Sequence, residues 1–377
     1  MAETVRPAQI RVCEPLLEGR ESVYVQDCLK TNWISSKGKY IEEFEKGFAN
    51  YCGCSYGITT TSGTTALHLA LAALGIGKED EVIVPAFTMA ACVLAILYTG
   101  ATPVLIDSEP DTWNLDVNQL EDRITRRTKA IMPVHIYGHP CDMSPIMEVA
   151  SKHRLFVVED AAEAHGAEYY GKRVGGIGHV GCFSFYANKI ITTGEGGMVV
   201  TNDPKIAEKA RALKDLSHSP QRRFLHTEIG FNYRMTNLQA AIGLAQLERI
   251  EELAERRRSN ALRYNSLLAN VQGIRLPVEK KWARNVYWMY SIVLEDTFGI
   301  SRDTLMAKLA QHGIETRPMF IPMHRQPAFL DQGLFKSECY PIADDLSQKG
   351  VNLPSGSGLG PEVDIVCRAI QEIAAGK

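Results

Sequence analysis

Lys189 lies in a segment whose residue types fit one kind of covalent chemistry. Residues 184–197 read Ser-Phe-Tyr-Ala-Asn-Lys-Ile-Ile-Thr-Thr-Gly-Glu-Gly-Gly, so the lysine follows a short apolar strand and precedes a glycine-rich loop. Upstream, another apolar run ends in Glu159 and Asp160. A lysine amine forms a Schiff base with the aldehyde of pyridoxal phosphate (PLP), and a carboxylate keeps the pyridine nitrogen protonated so that the ring accepts electrons. Most lysines are surface charges, but these surroundings favour the PLP interpretation.

A phosphate seat is indicated by Ser62, Gly63 and Thr64, which follow one apolar segment and open another with helical spacing. The free N–H groups at a helix start bind phosphate, and the Ser and Thr hydroxyls add donors. The alternative is a simple helix cap, a common use of serine before a helix. The hydroxyl of Ser184 could reach the same phosphate.

Other polar residues could contact the cofactor or a substrate. Glu163 lies one turn beyond Asp160, within reach of the cofactor's ring hydroxyl, and residues 230–237 form a polar cluster before a long helix. Arg222, Arg223 and Arg317, the last with His324, could bind a carboxylate or phosphate. The alternatives are a capping segment and ordinary solvated surface charges.

The composition is that of an ordinary globular protein with no sign of a nucleic-acid or membrane-surface partner. The chain has 377 residues, of which 45% are hydrophobic and 23% charged, and its formal net charge is −3. The first residues contain no apolar signal-peptide region, and the nine cysteines are scattered. We expect a cytoplasmic protein with free thiols. Cys52 and Cys54 lack a second Cys/His pair at ligand spacing, so no metal site is expected.

Alternating strand and helix patterns over residues 55–215 predict an α/β domain with a mostly parallel sheet. The predicted strands are residues 56–59, 81–84, 102–106, 130–134, 155–158 and 197–200, and the predicted helices are residues 64–74, 89–98, 117–124 and 144–153. Residues 236–268 form a long helical stretch, followed by a strand at 287–294 and a helix at 302–311. These signals predict a large domain over 30–245 and a smaller α+β domain over 246–377, with residues 1–29 packing on the smaller one.

Taken together, these segments resemble the DegT/DnrJ/EryC1/StrS family of sugar aminotransferases, which have fold type I of the PLP enzymes. The likeness covers nearly the whole chain, and it is most specific in the lysine loop and in residues 232–237. The matching segments are residues 33–38 (Trp-Ile-Ser-Ser-Lys-Gly), 62–64, 133–138 (Pro-Val-His-Ile-Tyr-Gly), 159–164, 188–197, 232–237 (Asn-Tyr-Arg-Met-Thr-Asn) and 352–355 (Asn-Leu-Pro-Ser).

The resemblance implies a role for each matching residue. Lys189 would be the Schiff-base lysine, Asp160 would pair with the pyridine nitrogen and Glu163 would lie near the ring hydroxyl. Met89 stands where relatives commonly carry an aromatic residue stacked on the PLP ring. Asn237 would reach the phosphate of the neighbouring subunit's cofactor in an obligate homodimer. The remaining assignments are Ser62, Gly63, Thr64 and Ser184 for the phosphate and Asn232, Arg234, Arg317 and His324 for the substrate.

Within the family, the chain is most similar to the perosamine-forming members. Residues 132–138, 230–234 and 315–320 carry this narrower likeness. It implies ping-pong transfer of an amino group from L-glutamate to GDP-4-keto-6-deoxymannose, which makes a precursor for surface polysaccharide such as the O-antigen of lipopolysaccharide. The alternatives are another nucleotide-linked 4-keto or 3-keto sugar, a keto-cyclitol, or a PLP-binding regulator without turnover.

Overall fold

The computed structural model of the protein describes residues 9–219, 221–222 and 224–376 and contains both strands and helices throughout. The strands in chain order are β1 (Tyr56–Thr60), β2 (Glu81–Pro85), β3 (Thr102–Ile106), β4 (Thr128–Ile131), β5 (Phe156–Asp160), β6 (Glu168–Tyr169), β7 (Lys172–Arg173), β8 (Val180–Ser184), β9 (Gly197–Thr201), β10 (Ile274–Arg275), β11 (Ala283–Arg284), β12 (Tyr290–Leu294), β13 (Arg317–Pro318) and β14 (Gly350–Leu353). The α-helices are α1 (Glu21–Thr31), α2 (Lys39–Tyr51), α3 (Gly63–Ala73), α4 (Ala90–Tyr98), α5 (Met143–His153), α6 (Pro204–Lys214), α7 (Asn237–Leu247), α8 (Ile250–Leu268), α9 (Arg302–Gln311), α10 (Pro327–Leu330), α11 (Pro341–Lys349) and α12 (Glu362–Ala375).

The largest sheet has seven strands in the order β1-β9-β8-β5-β4-β2-β3. Neighbouring strands are parallel except at β9, which runs antiparallel to both β1 and β8. Strands β2, β8 and β9 are buried along their whole length, as expected for a sheet covered on both faces. The predicted α/β fold with a mostly parallel mixed sheet is therefore confirmed.

Two of the helix predictions were wrong in detail. Residues 117–124 form two short 3₁₀ helices, at 117–119 and 121–123, because the Asp116 carboxylate accepts hydrogen bonds from both nitrogens of Asn118 and competes with a regular helix. The long stretch predicted over 236–268 breaks at Arg249, whose backbone has φ −119° and ψ 9°. The break separates α7, which packs on α1 and α2, from α8, which packs on α12.

The C-terminal part of the chain forms a second, antiparallel sheet in the order β10-β12-β14-β13. Helices α9 and α11 pack against it, and α12 lies against α8 and α9. A small third sheet, β11-β6-β7, joins residues 283–284 to the segment after β5. No helix in the described part of the chain is long and apolar enough to cross a membrane.

The N-terminal segment contacts both parts of the molecule. Ile10 pairs with Ile314, and the Val12 carbonyl accepts a hydrogen bond from the Ser355 amide, so this stretch contacts the C-terminal part of the chain. Helix α1, in contrast, packs along α7 beside the large sheet. Residues 1–8 lie outside the described part, and the domain limits 30–245 and 246–377 remain predictions.

Strand β5 places two adjacent carboxylates on opposite faces of the sheet, as the pleat requires. Glu159 is fully buried and accepts hydrogen bonds from the amides of Gly175, Ile177 and Gly178 at 2.6–2.8 Å. The same carboxylate lies 3.1 Å from Nε2 of His135. Through these bonds Glu159 holds the loop before β8. The neighbouring Asp160 points to the opposite face of the sheet.

Candidate active site

A cavity of about 370 Å³ lies at the carboxyl ends of β5 and β8 and beside the start of α3. This is the edge at which open parallel sheets bind ligands. The predicted site residues that line it are Ser62, Gly63, Thr64, Met89, Asp160, Glu163, Ser184, Lys189 and Arg317. Residues from remote parts of the chain thus meet in one place, as the family resemblance implies.

The Lys189 amine is nearly enclosed, with 10% of its side chain exposed. Its Nζ lies 3.7 Å from Oε1 of Glu163 and 3.6 Å from the centre of the Trp288 ring. Burial lowers the pKa of Lys189, and the nearby charges of Glu163 and Asp160 oppose that shift. The amine is therefore neutral, and nucleophilic, more often than the amine of a surface lysine.

Glu163 has an unusual protonation state for a carboxyl group. Burial raises its pKa to about 7, while Lys189 and the Tyr137 amide act in the opposite direction. The Tyr137 amide donates to Oε2 of Glu163 at 2.8 Å. Glu163 can therefore exchange a proton near neutral pH, directly beside the lysine.

Asp160 is buried and faces the cavity from the end of β5. Its Oδ1 accepts a hydrogen bond from the Ala162 amide, and its Oδ2 accepts one from the Cys92 thiol, each at 3.0 Å. Burial raises the pKa of Cys92 well above its usual value, so the thiol stays protonated and remains a donor. Sequence analysis missed Cys92, because its contact with Asp160 exists only after α4 packs on the sheet.

The start of α3 is capped by its own side chains and is suited to bind an anion. Oγ of Ser62 accepts from the Thr65 amide at 3.2 Å, and Oγ1 of Thr65 accepts from the Ser62 amide at 2.9 Å. The first amides of the helix have no intrahelical partner. A Cβ on Gly63 would stand 2.7 Å from Cβ of Ser184, so glycine allows the helix start to approach the end of β8 closely.

These residues fit PLP. The cradle at Gly63 and the hydroxyls of Ser62, Thr64 and Ser184 suit a phosphate group. Asp160 supplies a buried carboxylate for a pyridinium nitrogen, and Lys189 supplies a desolvated amine.

Three of the predicted substrate residues lie outside this cavity within the single chain. Arg234 forms an ion pair with Asp215, and the backbone of Asp215 forms an isolated β-bridge with that of Asn232. His324 is buried, with Nε2 3.1 Å from Oδ1 of Asp344. Their substrate contacts remain predictions, because spacing along the chain does not show which way a side chain in a loop or turn points. Arg222 is exposed, and Arg223 lies outside the described residues.

Asn237 is also absent from the cavity wall and fastens a loop instead. Its Oδ1 accepts from the Tyr40 amide at 3.1 Å, and its Nδ2 donates to the Trp33 carbonyl at 2.8 Å. Any side chain on Gly38 would collide with the Asn237 amide group, with a Cβ 2.3 Å from its Cγ. Asn237 therefore shapes residues 33–40, a segment that borders a second, open cavity.

An aromatic wall that sequence analysis missed lines the other side of the active-site cavity. The Tyr137 ring stacks on Trp288, with centres 6.2 Å apart, and on Phe320, with centres 5.3 Å apart. A Cβ on Gly138 would lie 2.9 Å from the Trp288 backbone nitrogen, so this glycine admits the segment that carries Trp288. In the sequence, the only hint of this wall was that a glycine directly follows Tyr137 in residues 133–138.

Comparison with known proteins supports the same assignment. The model of the DegT/DnrJ/EryC1/StrS aminotransferase family matches residues 15–371. The chain is 48% identical to the GDP-perosamine synthase of Caulobacter vibrioides (97% of this chain, 98% of the relative) and 47% identical to that of Escherichia coli O157:H7 (98% and 99%). Its fold matches the PLP form of Spr1654 from Streptococcus pneumoniae, with a TM-score of 0.91 at 28% identity over 98% and 99% of the two chains.

The cavity and the comparisons agree on one type of chemistry. Lys189, Asp160 and the seat at Gly63 are the groups that PLP requires, and solved relatives adopt the same fold. The expected fold of a PLP-dependent aminotransferase is thereby confirmed. The chain belongs to the DegT/DnrJ/EryC1/StrS aminotransferase family and is a PLP-dependent sugar aminotransferase.

Proposed function

We propose that this enzyme transfers the amino group of L-glutamate to GDP-4-keto-6-deoxymannose and so forms GDP-perosamine. Relatives named GDP-perosamine synthase, 42–48% identical over at least 96% of the chain, support this substrate. The observation that carries the amino-transfer chemistry is the desolvated Lys189 amine, which lies beside Glu163 in a cavity that also holds Asp160 and a phosphate seat.

Each residue of the cavity has a separate role in the proposed amino transfer. PLP, when bound, supplies an electron sink that stabilises negative charge on the amino donor's α-carbon. Lys189 acts as general base and then as general acid at Nζ, because it reaches the cavity and its pKa is lowered. Asp160 would pair with the protonated ring nitrogen, and the start of α3 together with Ser184 would hold the phosphate. Glu163, adjacent to Nζ, can accept or return a proton.

Arg317 provides a cation at the mouth of the cavity. Its side chain is 46% exposed, and its guanidinium lies 3.5 Å from Glu315, so it remains accessible to an incoming anion. Both proposed substrates are anionic, since glutamate carries carboxylates and the sugar carries a diphosphate. One arginine can serve each in turn, because in a ping-pong sequence the first product leaves before the second substrate binds.

We also infer that two copies of the chain form a homodimer that shares its active sites. Leu29, Trp33 and Ile34 are 56%, 56% and 47% exposed, and the last two belong to the segment that Asn237 fastens. Apolar side chains concentrated on one surface favour coverage by another protein surface. A second copy would cover them and bring residues 33–40 toward a neighbouring cavity.

The substrate proposal predicts one product among a panel of keto sugars. With glutamate as donor, mass spectrometry should find an aminated product from GDP-4-keto-6-deoxymannose, formed at least about tenfold faster than products from TDP- or UDP-linked 4-keto and 3-keto sugars or from a keto-cyclitol. Conversion of the TDP or UDP sugars alone would refute the perosamine assignment. Cofactor binding without any amination would favour a regulator.

Replacement of Lys189 tests the covalent chemistry. Lys189→Ala should lower turnover by at least about a thousandfold, because both the nucleophile and the proton carrier are lost. It should also abolish the borohydride-reducible adduct with PLP, measured by the mass of the protein. Lys152→Ala removes an exposed lysine and serves as the control. Normal activity in Lys189→Ala would end the proposal.

Glu163→Gln should change the reactivity of Lys189 in a pH-dependent way. Above about pH 7, the Glu163 carboxylate is charged and raises the lysine pKa; below that pH it is protonated and resembles glutamine. The cofactor-free variant should therefore capture PLP about three- to tenfold faster than wild type at pH 8–9, with rates converging near pH 6. Rates of adduct formation measure this. Glu195→Gln, in the same cavity, is the control, and a rate ratio independent of pH would contradict the assignment.

Mixing two inactive variants tests the shared site. If Asn237 serves the partner's cofactor, Lys189→Ala and Asn237→Ala chains refolded together should form hybrid dimers with one intact site. Activity should return to about a quarter of the wild-type value. Sedimentation confirms the dimer. Activity no higher than that of the two variants measured separately would show that Asn237 acts within its own chain.

A further inference from the structure

The Trp288 ring lies against the Lys189 amine. Nζ lies 3.6 Å from the centre of the Trp288 ring, which faces the cavity, and the tryptophan is only 5% exposed. Oε1 of Glu163 lies 3.7 Å from the same nitrogen. The amine thus contacts both an indole face and a carboxyl group.

The indole is held by the segment that carries the lysine. Its Nε1 donates to the Asn188 carbonyl at 2.8 Å. The Trp288 carbonyl accepts from Nη1 of Arg257 at 2.6 Å, and Nη2 of the same arginine lies 3.4 Å from the Asn188 and Lys189 carbonyls. One buried guanidinium therefore ties the backbones of both residues together.

Arg257 is suited to such a fixed role. It is 2% exposed, its Nε donates to Ser357, and among the residues that the structure describes it has no carboxylate partner. A buried cation bound mainly to carbonyl groups cannot move away without leaving those groups unsatisfied. The indole is fixed at two places: its Nε1 donates to the Asn188 carbonyl, and the Tyr137 ring stacks on it. In this orientation the indole presents its face to Lys189.

We propose that Trp288 is a positioning residue for Lys189: its indole face holds the amine in the cavity, beside Glu163, whenever that amine is not covalently engaged. An aromatic face attracts an ammonium group, and the attraction grows when water is excluded. This keeps Nζ within reach of the reacting atoms instead of letting a long side chain swing toward solvent. The inference rests on the proposed role of Lys189 and is independent of which sugar is aminated.

The test measures Lys189 in the cofactor-free full-length chain. Competitive labelling with acetic anhydride across a pH series, with the Lys189 peptide quantified by mass spectrometry, gives the pKa and reactivity of this one amine. The charged or titratable groups that face it are Glu163, Asp160, Arg257 and Cys13, and none of them changes in the variants. The rate of PLP capture, trapped by borohydride, is the second readout.

Trp288→Leu should lower the Lys189 pKa by about half to one unit, since the ammonium loses its aromatic partner. PLP capture, divided at each pH by the fraction of the amine that is neutral, should slow several-fold, because the amine is less well placed. Trp288→Phe, which keeps a smaller ring face, should fall between wild type and the leucine variant in both measurements. Trp282→Leu, a tryptophan replaced away from the cavity, should leave both unchanged.

An unchanged or raised Lys189 pKa in both Trp288 variants would overturn the proposal. It would show that the indole acts on this pKa only by excluding water and does not stabilise the ammonium form. Thermal unfolding reports whether each variant is folded, and Trp288→Phe carries the test if the leucine variant is not. Failure of the functional assignment looks different. It would appear as PLP capture by Lys189→Ala, or as another aminated product, with the Trp288 result unaffected.

Discussion

The desolvation of the Lys189 amine is the constraint around which this structure is arranged. A lysine in water is charged and unreactive near neutral pH, so its side chain must be withdrawn from solvent without losing all electrostatic support. Glu163 and Trp288, each within 4 Å of the amine nitrogen, supply that support. The cavity that encloses the amine is formed by strand ends, a helix start and a distant C-terminal segment. Its lining residues therefore range from Ser62 to Asn352.

Strand β5 carries one carboxylate that stabilises the fold and one that faces the active-site cavity. Glu159 and Asp160 are adjacent and chemically alike, yet the pleat sends them to opposite faces. Three backbone amides and His135 satisfy Glu159 and secure the loop before β8. Asp160 keeps a carboxylate directed at the cavity, with the Cys92 thiol as one of its donors.

The C-terminal part of the chain helps to hold the lysine segment in place. Arg257 on α8 and Trp288 before β12 bind the backbone and side chain of the lysine segment, so the position of the amine depends on residues about 70 to 100 positions away in sequence. The break at Arg249 directs α8 into that position. A single continuous helix over 236–268 would have continued along the direction of α7.

From the sequence alone we predicted the fold class, most strands of the large sheet, and Lys189, Asp160 and the Gly63 seat as groups for PLP. These features depend on local patterns: apolar runs, a capped helix start and a glycine-rich loop. Three features became visible only in the folded chain: Cys92 donates to Asp160, the Trp288 ring contacts Lys189, and His324 and Asn237 lie outside the cavity wall. Contacts of this kind join residues far apart in sequence, and side-chain direction there is set by packing, which spacing along a chain does not encode.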